Sequence, residues 1–203
     1  MNRFTKIIKA IMFSKAVVCT MGISLQARGQ NGNGSHNGHD YVDLGLPSGT
    51  LWATCNVGAG TPEASGYYFA WGETQPKPTY DNRNYKSYIG DPATAQWGED
   101  WRTPSYNEWD ELIGYCTLKQ TYSNGVYGML ITAPNGNSLF LPAAGYRESK
   151  TYNIGTNGGY WSSSIDTNNL QLAHYFVFGT AKYFMSQTDR WVGNTVRAVR
   201  SSR

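Results

Sequence analysis

Residues 41–53 of this 203-residue chain are YVDLGLPSGTLWA. The stretch combines branched and aromatic residues, which favour strands, with a Gly-Leu-Pro-Ser-Gly segment, which favours turns. Gly45 and Gly49 are predicted to adopt positive φ or to allow the close approach of another backbone segment. A short strand is therefore expected over residues 51–57 (LWATCNV).

Short strands and frequent turns are predicted for most of the remaining chain. Residues 66–71 (GYYFAW) and 170–178 (LQLAHYFVF) are rich in aromatic and branched side chains, and residues 195–200 (TVRAVR) alternate apolar with polar side chains. A Pro-Asn-Gly-Asn turn between two apolar runs predicts a hairpin over residues 127–141. Residues 72–100 carry prolines and few aliphatic side chains, and are predicted to form a loop.

One helix is predicted near residues 106–116. Ser105 and Glu108 have the spacing of a capping box, in which each side chain binds a backbone N–H at the start of the helix. The apolar side chains that follow lie at helical spacing and form one stripe: Trp109, Leu112, Ile113 and Cys116. The predicted fold class is α+β, rich in loops, with short antiparallel strands and this one well-defined helix.

The N-terminus has the three parts of a secretory signal peptide, predicted over residues 1–29. Four cations and no acidic residue precede an uncharged run over residues 16–25, and cleavage is expected after Ala27 or Gly29. The uncharged run is about half the roughly 20 residues that a bilayer-spanning helix needs. Residues 30–40, rich in Gly and Asn, are predicted to be a flexible tether, followed by a single domain over residues 41–203.

Removal of the signal peptide changes the charge balance of the chain. The chain has 17 Lys and Arg against 14 Asp and Glu, and four of the cations lie in residues 1–27, which leaves 13 against 14, a net charge of −1. This balance predicts no nucleic-acid partner. No long apolar run follows residue 29, so no membrane span is expected after cleavage. The expected location is periplasmic, outer-surface or secreted. In such compartments Cys55 and Cys116 can form a disulfide or remain two half-buried thiols.

Several long motifs occur in order over residues 41–200. The chain resembles the FISUMP domain, the "major paralogous" domain of gut and rumen bacteria, in YVDLGLPSGTLWA at 41–53, YFAWGE at 68–73, WRTP at 101–104, FLPAAGYR at 140–147, YWSSS at 160–164 and VRAVR at 196–200. This family is a branch of the C-type-lectin-like fold, so the resemblance implies that fold and an exported or cell-surface bacterial protein. It implies no particular ligand.

The sequence contains no motif that assembles a catalytic centre. His174 is the only histidine beyond the tether, and catalysis would require a partner such as Asp166 or a Ser hydroxyl within hydrogen-bond reach. No cysteine follows Cys116, whereas the formylglycine-generating enzymes of the same fold need late cysteines for copper. No cofactor and no metal are predicted. A structural calcium site made of scattered backbone and Asn or Asp oxygens stays an open alternative that no motif indicates. A non-catalytic function is favoured, with an uncharacterised hydrolase or a structural surface or fimbrial component as alternatives.

Residues 146–161 and 179–194 have the composition of recognition loops, with Tyr, Trp and Arg among Asn, Gly and Ser. In the diversified relatives of the fold, the region before the last strand is the binding face, which by position implies about residues 160–194 here. Taken with the loop composition, this predicts a ligand face over about residues 146–194. The predicted partner is a glycan or protein ligand at the cell surface. The predicted ligand-binding residues are Tyr146, Arg147, Tyr152, Tyr160, Trp161, Tyr183, Asp189, Arg190 and Trp191.

Overall fold

The 41–53 stretch lies at the centre of an antiparallel sheet in the computed structural model, which describes residues 33–83 and 89–202. The predicted signal peptide lies outside the described residues. The described chain is α+β, with short antiparallel strands and two helices. In chain order the elements are β1 (Gly34–His36), β2 (His39–Asp43), β3 (Thr50–Ala53), α1 (Pro92–Trp97), α2 (Tyr106–Tyr115), β4 (Thr117–Ser123), β5 (Val126–Thr132), β6 (Ser138–Pro142), β7 (Tyr146–Arg147), β8 (Thr151–Tyr152), β9 (Gly158–Ile165), β10 (Leu172–Phe178), β11 (Tyr183–Asp189) and β12 (Val199–Ser201).

The first sheet joins the two ends of the described chain. Its strand order is β1-β2-β3-β12, and Trp52 on β3 pairs with both Val42 and Val199. Gly45 and Gly49 have the predicted positive φ, at 63° and 71°. The strand predicted over residues 195–200 is shorter than expected, because only its last residues join this sheet and Thr195 forms a single bridge to Tyr160.

The prediction of a flexible tether is wrong for residues 34–40, which form most of the hairpin β1–β2. Asn37 and Gly38 both have positive φ, at 49° and 78°, so they form the Asn-Gly type of hairpin turn whose twist suits the flanking strands. The hairpin also packs on the domain. The ring of His39 stacks on that of Trp97 at 3.8 Å between centroids, and the Trp101 indole N–H donates to the carbonyl of His36 at 3.3 Å.

The predicted helix is confirmed as α2, and its capping box forms as expected. The Glu108 N–H donates to the Ser105 hydroxyl at 3.3 Å, and the Ser105 N–H donates to the Glu108 carboxylate at 2.8 Å. Trp109 and Leu112 are fully buried, while Ile113 and Cys116 are partly buried against the same core. The apolar stripe therefore faces the core, as predicted.

A second helix, α1, interrupts the segment that was predicted to be a loop. Asp91 caps it by accepting hydrogen bonds from the N–H groups of Ala93 and Thr94, and Pro92 occupies the first helical position, where proline is well tolerated. Trp97 at its end is buried beside Trp101. The strand predicted over residues 66–71 is also not formed: only Phe69 makes a bridge, to Asn194.

Two three-stranded sheets complete the main framework. The predicted hairpin is confirmed as β5–β6, to which β4 adds a third strand. The third sheet has the order β11-β10-β9, and helix α2 contacts all three of its strands. The ring of Trp109 stacks on Phe176 of β10 at 5.0 Å, so this contact joins the helix to the sheet in the main core.

Cys55 and Cys116 are both free thiols in the structure, so the disulfide alternative is not formed. Cys116 packs against the main core, where burial, and then the Glu111 carboxylate, raises the pKa of its thiol to about 11. No helix within residues 33–83 and 89–202 is long and apolar enough to cross a bilayer.

Candidate ligand-binding groove

The two faces of the β9–β11 sheet have different surroundings. Alternate residues of a strand point to opposite faces, and the register places Tyr175 and Val177 of β10 on one face and Phe176 on the other. Phe176 faces α2 and the main core. The opposite face, which carries Gly159, Tyr175, Val177 and Phe184, is called the groove face here because it forms the floor of a surface cavity.

The groove is a cavity of about 340 Å³ between this floor and two flanking chain segments. One wall is formed by the 146–157 segment, which carries β7 and β8, and the other by residues 188–194. Three aromatic side chains line it, Tyr146, Tyr175 and Trp191, and all three are half-buried. Such rings offer flat apolar surfaces at low entropic cost, together with an O–H or N–H group at the edge.

Amide and carboxyl groups surround the aromatic rings. Asn153, Asn157 and Asn194 line the groove, as do the carboxyl side chains of Glu148 and Asp189. Each amide can both donate and accept hydrogen bonds, and a carboxylate accepts them. The groove thus combines flat stacking surfaces with several hydrogen-bonding groups, which is the usual composition of a site for a small polar ligand.

Glycine residues allow two close approaches around the groove, one between its floor and Asn194 and one within the 146–157 wall. A Cβ atom at Gly159 would lie 2.5 Å from Oδ1 of Asn194, so a larger residue there would displace the asparagine from the groove. Gly145 has φ of 67°, and a Cβ atom there would overlap the carbonyl oxygen of Tyr152. This tight approach lets the rings of Tyr146 and Tyr152 stack at 5.4 Å.

Backbone hydrogen bonds hold the two walls in register. The N–H of Arg147 donates to the carbonyl of Gly193 at 2.7 Å, and the N–H of Gly193 donates back at 2.8 Å. Asn194 makes a similar reciprocal pair with Phe69, at 2.9 and 3.1 Å. The Asn194 side chain is buried, and its Nδ2 has no hydrogen-bond partner within the described part of the chain.

No family model, curated protein or solved structure matches this chain.

Three of the nine predicted ligand-binding residues line the groove: Tyr146, Asp189 and Trp191. Tyr152 lies behind Tyr146 as its stacking partner, and supports the wall without lining the cavity. The fold thus brings Tyr146 and the pair Asp189 and Trp191 to one cavity, and ligand binding by these residues stays a prediction.

The prediction is wrong for Tyr160 and Trp161, which are 0% and 1% exposed. The hydroxyl of Tyr160 donates to the carbonyl of Pro142 at 2.6 Å, and the indole N–H of Trp161 donates to the carbonyl of Phe69 at 2.6 Å. Both side chains lie on β9, and each is packed in a hydrophobic cluster. A ligand in the groove therefore cannot contact them. They hold the scaffold together.

Arg190, Arg147 and Tyr183 also lie outside the groove, so their assignment as ligand contacts is not supported. Arg190 is buried, with its guanidinium 4.6 Å from the ring centre of Trp71 and a hydrogen bond to the carbonyl of Leu170 at 3.2 Å. Arg147 donates from Nε to the carbonyl of Pro78 at 3.1 Å. Tyr183 is exposed, but it pairs with Phe178 on the face of the sheet away from the groove.

Five groove residues were not predicted as ligand contacts: Tyr175 and the polar residues Glu148, Asn153, Asn157 and Asn194. Tyr175 lies in a segment correctly predicted as a strand, but the sequence alone does not show which of its faces stays open. The polar residues are common loop residues that only the fold brings together. A signal for Asn153 and Asn157 existed in the predicted recognition loop over residues 146–161.

The groups considered for hydrolysis are not brought together. His174 packs its ring against Tyr106 at 5.0 Å, edge to face, and makes no side-chain hydrogen bond to any described residue. The Asp166 carboxylate accepts from the N–H groups of Asn168 and Asn169, which is the arrangement of a local turn. Among the residues that the structure describes, no group of three or more His, Cys, Asp or Glu is placed to hold a metal ion.

Proposed function

We propose that this chain is an exported or cell-surface, non-catalytic binding module whose groove takes a glycan. We also propose that it is a member of the FISUMP family with a C-type-lectin-like fold. The ordered motifs over residues 41–200 and the α+β architecture with short antiparallel strands support the family proposal. The groove supports the proposal of binding.

The observation that carries the proposed function is the convergence of three aromatic rings, three amides and two carboxylates on one cavity. The C–H face of a pyranose ring stacks on a flat aromatic surface, while its hydroxyl groups donate to carboxylates and exchange hydrogen bonds with amides. The volume of about 340 Å³ lies at the lower end of the range of roughly 300–1,000 Å³ for small-ligand sites. One or two sugar units are the ligand that this space suits best.

The test is a glycan-array screen of the purified full-length protein, followed by calorimetric titration of the glycans that bind. Trp191→Ala is expected to weaken binding by at least about tenfold, because it removes a stacking ring from the groove wall. Tyr115→Ala is the matched control. Tyr115 is an exposed aromatic residue at the end of α2, which packs on the opposite face of the sheet.

Circular dichroism and thermal unfolding of both variants separate lost binding from lost folding. A folded Trp191→Ala variant that binds with unchanged affinity would contradict the assignment of the groove. A screen in which no glycan binds the folded wild-type protein would contradict the choice of ligand class.

A further inference from the structure

The charged residues around the groove are distributed unevenly. Glu148 and Asp189 line the cavity, and neither forms an ion pair with a described residue. No Lys, Arg or His is among the described residues that line it. An unpaired carboxylate in a half-closed site attracts a cation more strongly than it would in open water, because less solvent screens its charge.

The cations closest along the chain are directed to other groups. Arg147 donates to the carbonyl of Pro78, outside the groove lining, and Lys150 lies 5.3 Å from the ring centre of Tyr152, behind the groove wall. The guanidinium of Arg190 covers Trp71. In the described part of the chain, no ion pair joins Arg147 or Lys150 to Glu148 or Asp189.

The aromatic residues, like the carboxylates, favour a ligand group with a positive charge. The face of a Tyr or Trp ring carries partial negative charge and attracts ammonium groups. Tyr146, Tyr175 and Trp191 place three such rings in the cavity that also contains the two carboxylates. Rings and carboxylates thus favour a cationic ligand group, and both disfavour an anionic one.

We propose that the groove selects a sugar that carries a free, positively charged amine, over its neutral N-acetylated form and over anionic sugars. This inference rests on the proposed glycan-binding function and specifies its ligand class. A lysine side chain offers the same ammonium group but no hydroxyl groups for Asn153, Asn157 and Asn194. The amides therefore favour the amino sugar as the source of the ammonium.

The test compares short oligomers of glucosamine with the same oligomers after N-acetylation, by calorimetric titration of the full-length protein. The two ligands share the sugar ring and most hydroxyl groups, and they differ in the charge of the amine. We expect the amine form to bind about tenfold more tightly at low salt. The ratio is expected to fall toward one at about 1 M salt, because the ions screen the carboxylates. Glucuronate and lysine amide serve as anionic and non-sugar ligands.

Glu148→Gln and Asp189→Asn each keep the size of the side chain and remove its charge. Each substitution is expected to lower severalfold the ratio of the affinity for the amine oligomer to the affinity for the N-acetylated oligomer. The matched control is Asp110→Asn, an exposed carboxyl residue on α2, away from the groove face, and it should leave the ratio unchanged. Unfolding midpoints for the three variants confirm that each is folded under the conditions of the titration.

The results separate the two proposals. Equal or tighter binding of the N-acetylated oligomer, or a ratio that Glu148→Gln and Asp189→Asn leave unchanged, would overturn the charge selection while glycan binding stands. Binding of lysine amide with no binding of either oligomer would overturn the amino sugar as the source of the ammonium group. Failure of every sugar to bind the folded protein would reject both proposals.

Discussion

Glu108→Gln is expected to destabilise the protein, because the Glu108 carboxylate is the shared acceptor of a hydrogen-bond network. The Glu108 carboxylate accepts hydrogen bonds from both terminal nitrogens of Arg102 at 2.7 and 2.6 Å. It also accepts from the Ser105 N–H and hydroxyl at 2.8 and 2.9 Å and from the Thr50 hydroxyl at 2.9 Å. The group thus joins the start of α2 to β3 and to the segment that precedes the helix. Glutamine has nearly the same shape but lacks the charge.

Burial opposes the charged form of Glu108, but the Arg102 guanidinium and the other donors outweigh it and lower its pKa from 4.5 to about 2. At about 1.36 kcal/mol per pH unit, this difference corresponds to roughly 3 kcal/mol of stability. The Arg102 side chain is 44% exposed, so solvent screens part of the attraction. We therefore expect Glu108→Gln to lower the free energy of unfolding at pH 7 by about 2 kcal/mol.

The sign of the pH dependence follows from the lowered pKa. A carboxyl group whose pKa is lower in the folded state contributes its full stabilisation above the unfolded value of 4.5, and loses it as the pH falls toward about 2. Urea unfolding of the wild-type protein and of Glu108→Gln at pH 7, 4.5, 3 and 2 measures the difference between their free energies of unfolding. This difference should shrink steadily below pH 4.5 and be small at pH 2.

Glu111→Gln is the matched control, since Glu111 lies one turn further along the same helix and accepts hydrogen bonds only from the N–H and hydroxyl of Ser48. The expected loss at pH 7 is about 1 kcal/mol or less. The reasoning would be refuted by a Glu108→Gln loss below about 0.5 kcal/mol at pH 7, or by a difference that stays constant from pH 7 to pH 2.

Three further predictions concern the glycine turn, the buried guanidinium and the buried thiol. Gly145→Ala is expected to lower the free energy of unfolding by about 2 kcal/mol or more and to weaken groove binding, because its Cβ would overlap the carbonyl oxygen of Tyr152. Gly136→Ala, with positive φ but open space, should cost about 1 kcal/mol and spare binding. Arg197→Met should cost about 2–4 kcal/mol in urea unfolding, since its buried guanidinium serves three acceptors. Cys116 should alkylate at pH 8 more than about tenfold faster in urea than in the folded protein, as measured by peptide mass mapping, because burial, and then a carboxylate, raises the pKa of its thiol to about 11.

The elements that sequence predicted well are those whose causes are local. The capping box and apolar stripe of α2 lie within 12 residues, and the β5–β6 hairpin follows from one turn between two apolar runs. The hairpin β1–β2 also has a local signal, the Asn37-Gly38 turn. The Gly- and Asn-rich composition of the surrounding segment favoured a flexible tether instead. The packing of His39 on Trp97 has no local signal, because the two residues are 58 positions apart in the chain.

The ligand site could be predicted only as a region, because its details depend on long-range pairing. Trp161 and Trp191 look alike in sequence, each a Trp in a loop-like segment. The pairing of β9 with β10 buries Trp161, whereas Trp191 follows β11 and lines the cavity. Tyr175 was missed for the same reason, since only the position of α2 shows which face of β10 is covered.

The motif residues and the groove residues are largely different parts of the chain, and this separation has a consequence for ligand choice. The YWSSS motif places Tyr160, Trp161 and Ser162 in the interior, and the adjacent Gly159 lets Asn194 lie across the strand. The groove residues Glu148, Asn153, Asn157, Tyr175, Asp189, Trp191 and Asn194 lie in the intervals between motifs, and Tyr146 is the exception. Chains that share these motifs but carry other residues at the groove positions should therefore share the scaffold and differ in the groove. We accordingly expect the ligand of each such chain to depend on the residues between the motifs. The charge at positions 148 and 189 should decide whether the groove binds a cationic sugar.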